Sequence, residues 1–228
     1  MGKDKLKRFE ENLSFNNLFQ YLYEDLNAVP NAFPLKGKWR SDYFHNSNPI
    51  ILELGCGKGD YTTGLAAMYP HKNFIGFDRQ GARLWRGCKT ALENNLANVA
   101  FVRTNIQFIE HFFEKDEVDE IWVTFPDPQP NKPNHRKRLT SSSYLKRYAS
   151  ILKPDGIVHL KTDSDFFFNF TLETVESGGH EIQFISFDLY ADEIKDDVSK
   201  IQTFYEKIWL EQGLTIKYIR FKINRLSL

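Results

Sequence analysis

The chain has only two cysteines, Cys56 and Cys88, in 228 residues. They are too few for a disulfide framework, and neither stands at metal-ligand spacing from a histidine or from the other. A disulfide-stapled scaffold is excluded, no metal site is expected, and a reducing compartment fits. Charge of one sign is missing too: Lys+Arg and Asp+Glu number 30 each, so the net charge is zero. That excludes a globally basic coat for nucleic acid, and any such contact has to come from a local patch. No apolar run reaches the roughly 18 residues of a membrane span. The opening "MGKDKLKRFEENL" lacks the apolar core of a signal peptide. Internal repeats and low-complexity tracts are absent as well. A soluble, cytoplasmic protein is expected. Nothing calls for a membrane or an obligate protein partner, and the composition suits a monomer and a homodimer equally.

What the chain does have is alternation. Residues 1–48 read as an extension, a charged helical opening followed by "NAVPNAFPLKGKW", whose prolines and glycine argue for an extended connector. Residues 49–228 read as one domain. Short apolar runs recur there: "IILEL" (50–54), "NFIGFD" (73–78), "VAFVRT" (99–104), "VDEIWVTF" (118–125) and "IVHLKT" (157–162). Helical stretches separate them, at about 60–69, 81–95, 106–113 and 141–153, and another follows at 163–177. Two more runs, "EIQFISFDLY" (181–190) and "LTIKYIRFKI" (214–223), close the chain with no helix-length apolar pattern between them. This is the signature of an α/β protein with a doubly wound, mostly parallel sheet of seven strands and an antiparallel closing pair. Ligands of such sheets bind outside the carboxyl ends of the strands, beside the first.

The strand ends carry polar residues. After the first comes "LELGCGKGD", with Glu53 in the strand and glycines at 55, 57 and 59. Glycines permit a sharp turn and a close approach of backbone to ligand, or simply a tight turn. The spacing departs from the dinucleotide pattern G-x-G-x-x-G, and an acid at Glu53 would repel a pyrophosphate. It suits a cationic or zwitterionic ligand. Asp78 ends the second strand, 23 residues after Gly55, where a carboxylate accepts from both hydroxyls of a ribose or caps the next helix. Asn105 follows the third strand and serves equally well as a partner for an adenine edge or as a cap. Together these favour S-adenosylmethionine over a nicotinamide cofactor, in a Rossmann-like methyltransferase.

The fourth strand runs into "TFPDPQPNKPNHRKRLT" (124–140). Two prolines fix the backbone on either side of Asp127, and a basic cluster of Lys132, His135, Arg136, Lys137 and Arg138 follows. Here the chain resembles the tRNA (guanine-N7-)-methyltransferases of the TrmB type, class I methyltransferases that depend on S-adenosylmethionine. Their Phe-Pro-Asp-Pro-Trp motif and basic tail match "FPDPQPNKPNHRKRL", their Thr-Asp matches Thr162–Asp163, and their late Thr-x-x-Glu matches Thr203 and Glu206. The resemblance spans about residues 50–223. It implies methylation of guanosine-46 in the variable loop of tRNA. By the same carry-over, Glu53, Gly55, Gly57, Gly59, Asp78, Asn105 and Asp127 line the donor site, and Asp127 is also the active-site acid. Lys132, Asp163, Thr203 and Glu206 contact the guanosine or its nucleotide. Three positions depart from the family: Gln129 stands for the usual Trp, Asn131 for the first Lys, and Asn105 for the usual Asp.

Guanine N7 has its own chemical demands. N7 carries a lone pair and no proton, so transfer to it needs in-line placement and no general base. Carboxylates belong on the N1–H and N2–H₂ edge, where Asp163 or Glu206 could accept, and Asp127 would favour the positive charge that develops on the purine. Arg136, Lys137 and Arg138 face either solvent or tRNA phosphates, and the neighbouring strand end favours phosphates. The "FFF" at 166–168, Trp122, His71, His111 and His159 read as core or surface. Lys3, Lys5, Lys7 and Arg8 belong either to a solvated tail or to a tRNA contact. Two other readings remain open to the sequence: a class I methyltransferase acting on a small molecule or protein, and a tRNA-binding homologue without activity.

Overall fold

The computed structural model describes residues 3–29, 32–192 and 197–227, and only the backbone of Lys3, Asp4, Lys132, Asp197, Phe204 and Tyr205. The amino-terminal part holds α1 (Lys3–Asn12), β1 (Leu18–Gln20), α2 (Tyr23–Ala28) and a π-helical turn at Trp39–Tyr43. Then follow β2 (Ile50–Leu54), α3 (Asp60–Met68), β3 (Asn73–Asp78), α4 (Gly81–Glu93), β4 (Val99–Arg103) and β5 (Val118–Thr124). The last part comprises α5 (Ser142–Ile151), β6 (Leu152–Thr162), α6 (Asp165–Ser177), β7 (Glu181–Ser186), α7 (Phe204–Glu211) and β8 (Lys217–Lys222). Short 3₁₀ turns at Ile106–His111 and Lys132–Lys137 lie in two of the connections.

The strands form one sheet in the order β1-β4-β3-β2-β5-β6-β8-β7. Pairing is parallel from β1 to β6, and β8 runs antiparallel to both β6 and β7. The doubly wound sheet and its antiparallel closing pair are as the alternation predicts. The strand count is corrected from seven to eight: Leu18–Gln20 adds an edge strand on β4, and three residues are too few to show a period of two. β6 begins at Leu152 rather than at 157, and α7 occupies the gap before β8 that looked empty of helix.

Alternate strand residues feed two cores, one on each face. Ile75, Phe77, Val102, Ile121, Val123, Leu160 and Ile219 point to one. Ile51, Phe74, Phe101, Trp122 and Tyr218 point to the other. A parallel sheet covered on both faces needs this continuous apolar character. The amino-terminal residues join the first core through Trp39, which is fully buried. Its indole N–H donates to the Phe112 carbonyl at 2.9 Å, and its ring meets those of Phe19, Phe33 and Phe113 at 5.2–5.9 Å. Burying an aromatic of this size contributes a large share of a domain's stability, and removing it leaves a cavity. Trp39→Ala is expected to lower unfolding stability by about 3–5 kcal/mol, measured by urea denaturation. A loss below about 1 kcal/mol would show that the segment is not part of the core.

Candidate active site

The glycine turn after β2 places Gly55, Gly57 and Gly59 at φ +80°, +57° and +73°, all in the left-handed region. The need for glycine is different at the last two. A side chain at Gly59 would put its Cβ 2.7 Å from the Phe101 ring, so its absence lets α3 start close against β4. A Cβ at Gly57 would meet nothing within 4 Å, so that position opens onto space a ligand can use. The Gly57 N–H donates to Asp78 Oδ2 at 2.9 Å, and the Gln80 N–H to Asp78 Oδ1 at 2.7 Å. The carboxylate at the end of β3 is thereby held against the glycine turn. Burial pushes its pKa up, and these backbone donors counter the rise.

Glu53 is buried one residue before the end of β2. Its Oε2 accepts from the N–H of Thr62 at 2.8 Å and from the Thr62 hydroxyl, and its Oε1 accepts from the Thr124 hydroxyl at 2.5 Å. One carboxylate thus joins β2, the first turn of α3 and the end of β5. Burial raises its pKa to about 7, against the lowering effect of the threonine bonds. Glu53, Gly55, Gly57, Thr124, Phe125 and Thr203 share one pocket with Lys58, Asp60 and Arg83.

Beyond Thr124 the chain turns sharply. Phe125 and Gln129 both have φ +46°, bracketing Pro126-Asp127-Pro128. Positive φ at such side chains costs on the order of 1–3 kcal/mol each and persists only where neighbours enforce it. Here both ends are pinned. The Phe125 N–H donates to the Lys161 carbonyl at 2.8 Å. The Gln129 carbonyl accepts from Arg138 Nε and Nη2, both at 3.1 Å. Asp127 itself is exposed, and its Oδ1 accepts from the Gln129 N–H at 3.0 Å.

The basic cluster divides accordingly. Arg136 and Lys137 are exposed on the 3₁₀ turn. The side chain of Lys132 lies outside the described residues. Arg138, expected among the phosphate contacts, has to be corrected: it is 6 % exposed, bonded to Gln129, and its guanidinium lies 4.6 and 4.4 Å over the rings of Phe166 and Phe170. It braces the Pro-Asp-Pro loop from behind.

At the end of β6, Asp163 is half-buried and its carbonyl accepts from Lys217 Nζ at 3.3 Å. Thr203 caps α7: the Glu206 N–H donates to its hydroxyl at 3.2 Å, and its own N–H donates to Glu206 Oε2 at 3.3 Å. Glu206 is fully buried, with Oε1 2.7 Å from Lys161 Nζ. Asn105 caps the 3₁₀ turn after β4, its side-chain oxygen accepting from the Gln107 N–H at 3.3 Å. The structure therefore gathers Glu53, the glycines, Asp78 and Thr203 at the strand ends. Asp127 sits on the adjoining loop, and Asn105 follows β4, two strands from β2. Sequence reasoning missed Thr124 and Lys161. For Lys161 a signal existed: a lysine inside an apolar strand needs a buried acid. Among the described residues no cluster could hold a metal ion, both cysteines are free and buried, and no helix is long and apolar enough to cross a membrane.

A family model described as "Putative methyltransferase" matches residues 47–219. A tRNA (guanine-N(7)-)-methyltransferase of Christiangramia forsetii is 54% identical over 98% of this chain and 99% of its own. One from Bacteroides thetaiotaomicron is 49% identical over 98% and 87%. The chain belongs to the tRNA (guanine-N7-)-methyltransferase family. Among solved structures, the 16S rRNA methyltransferase KamB aligns with a TM-score of 0.61 over 82% of this chain and 91% of its own, at 14% identity, a likeness of fold. The fold is accordingly that of a class I methyltransferase, with S-adenosylmethionine as cofactor. The open space over Gly57 and the carboxylates at the strand ends fit a ligand bearing ribose hydroxyls and positive charge.

The brace at Arg138 separates it from its neighbours. Arg138→Ala is expected to lower unfolding stability by about 1–3 kcal/mol, because the Gln129 carbonyl loses a buried donor pair. Arg136→Ala and Lys137→Ala should stay within about 0.5 kcal/mol. Equal effects in denaturant titrations would contradict the assignment.

Proposed function

We propose that this protein transfers a methyl group to N7 of guanosine-46 in the variable loop of tRNA. The observation that carries the reading is the adjacency of the donor pocket to a strained, pinned Pro-Asp-Pro loop whose continuation presents Arg136 and Lys137 to solvent. When bound, S-adenosylmethionine supplies an electrophilic methyl group on a sulfonium. Asp78, already turned toward the glycine loop by two backbone donors, takes the ribose hydroxyls. Asn105 takes the adenine edge. Glu53 with Gly55, Gly57 and Gly59 surrounds the amino-acid end, where a buried acid favours an ammonium.

N7 needs no base, so the residues around the acceptor orient the purine and stabilise charge. Asp127 is the residue for that: it lies on a loop of fixed conformation and holds a carboxylate for the positive charge that develops on the ring. Asp163, half-exposed at the end of β6, is the carboxylate for the N1–H and N2–H₂ edge. Lys132 and Thr203 serve the nucleotide, and Arg136 and Lys137 the phosphates.

Labelled methyl donor and an unmodified tRNA transcript, mapped by aniline cleavage, test the reading. Cleavage is expected at guanosine-46, and none in a transcript carrying adenosine there. Methylation elsewhere, or of a non-tRNA acceptor only, would overturn it. In the same assay Asp127→Asn should lower kcat by about 10²–10³-fold with tRNA affinity within about twofold. Full activity of that variant would refute the electrostatic role.

A further inference from the structure

Behind the donor pocket lies a charged pair that the mechanism above leaves unused. Lys161, next to last in β6, is fully buried. Its ammonium lies 2.7 Å from Glu206 Oε1 and donates to the carbonyls of Val198 at 2.8 Å and Ile201 at 3.2 Å, which occupies all three of its N–H groups. Glu206 is equally engaged. Its Oε1 also accepts from the Tyr190 hydroxyl at 2.7 Å, and its Oε2 accepts from the Thr203 N–H at 3.3 Å. The rings of Tyr61 and Tyr190 stand 5.4 and 5.8 Å from the ammonium and close the cage.

A buried ion pair adds little net stability over an apolar pair of the same size, but it discriminates strongly between arrangements, because either partner alone is an uncompensated charge. Residues 198–203 are the kind of segment that needs such a device. Apart from one 3₁₀ turn they lack regular structure, and they end in Thr203, which lines the donor pocket. Lys161 grips this segment at two carbonyls and, through Glu206, at the cap of α7. The same residue's carbonyl receives the Phe125 N–H that starts the Pro-Asp-Pro loop. One strand position therefore ties together a wall of the donor pocket and the acceptor loop.

We propose that Lys161 is a positioning residue that, through Glu206 and the carbonyls of Val198 and Ile201, holds residues 198–206 in place and so sets Thr203 at the donor pocket, and that Glu206 acts through this pair without contacting the guanine. The inference rests on the guanosine-N7 reading and assigns Glu206 to the architecture of the site.

The test compares wild type with Lys161→Met, Glu206→Gln, the double variant and the milder Tyr190→Phe, as full chains. Donor affinity is measured by calorimetry, and tRNA kinetics on transcripts bearing guanosine or inosine at the target position. Inosine lacks the N2 amino group and keeps N7. Lys161→Met and Glu206→Gln should each weaken donor binding at least 10-fold and leave the KM for tRNA within about twofold, with the double variant no worse than the poorer single one. Tyr190→Phe, which removes one hydrogen bond to Glu206, should weaken donor binding two- to fivefold. The guanosine-to-inosine ratio of kcat/KM should stay at the wild-type value in every variant that folds. A ratio that falls toward one in Glu206→Gln or Tyr190→Phe would overturn the inference, because Glu206 would then be reading the base. A defect confined to tRNA KM, or additive effects in the double variant, would overturn it as well. Failure of wild type to methylate the guanosine transcript would instead refute the reading on which it rests.

Discussion

A buried carboxylate with three hydrogen-bond donors converging on it is the constraint from which the site follows. Glu53 lies in the central strand of the parallel part, between β3 and β5, where chain order reverses and the crevice opens. By accepting from Thr62 and Thr124 it fixes where α3 starts and where β5 ends. The glycine turn joins β2 to that fixed start of α3, with Gly55, Gly57 and Gly59 all left-handed. Burial raises the pKa of an acid this deep, and the threonine bonds counter part of the rise.

The acceptor side is built on a different principle. Its geometry is a strained loop held at both ends, at Phe125 by a strand carbonyl and at Gln129 by a buried arginine. Strain of this kind keeps Asp127 exposed without letting it wander, since relaxing either residue breaks a bond the surroundings supply. Acid and base in "FPDPQPNKPNHRKRL" therefore take three placements. Asp127 is exposed on the loop, Arg136 and Lys137 face outward to solvent, and Arg138 turns inward to hold the loop that carries the acid.

Much of this was legible in the sequence. The strands whose apolar runs are long enough to show their character, Ile50–Leu54, Asn73–Asp78, Val99–Arg103 and Val118–Thr124, fall where the pattern puts them. The polar residues at their ends were visible for the same reason, since polar groups interrupt apolar runs. What stayed hidden depended on long-range packing. β1 is three residues long and exists because β4 offers it an edge. The Pro- and Gly-bearing connector reads as extended, yet Trp39 at its end starts a π-helical turn and fills a core with residues distant in sequence. Arg138 read as part of a basic cluster because nothing local reveals that Phe166 and Phe170 will flank it. The role of Lys161 depends on a partner, Glu206, that lies 45 residues later.

Everything at the site turns on Glu53, an acid whose proton affinity the fold raises. A carboxyl whose pKa rises from its ordinary 4.5 to about 7 on folding favours the protonated native state. Its contribution to stability is fully present below the unfolded value and is lost as pH climbs through the folded one, by roughly 3 kcal/mol in all. The most direct measurement is the unfolding free energy of wild type and Glu53→Gln from pH 4.5 to 8.5, taken as the difference between the two. Wild type should lose stability relative to the variant by about that amount across the interval, most steeply between about pH 5 and 7. Parallel profiles would contradict the account, because they would mean that Glu53 titrates in the fold as it does in the unfolded chain.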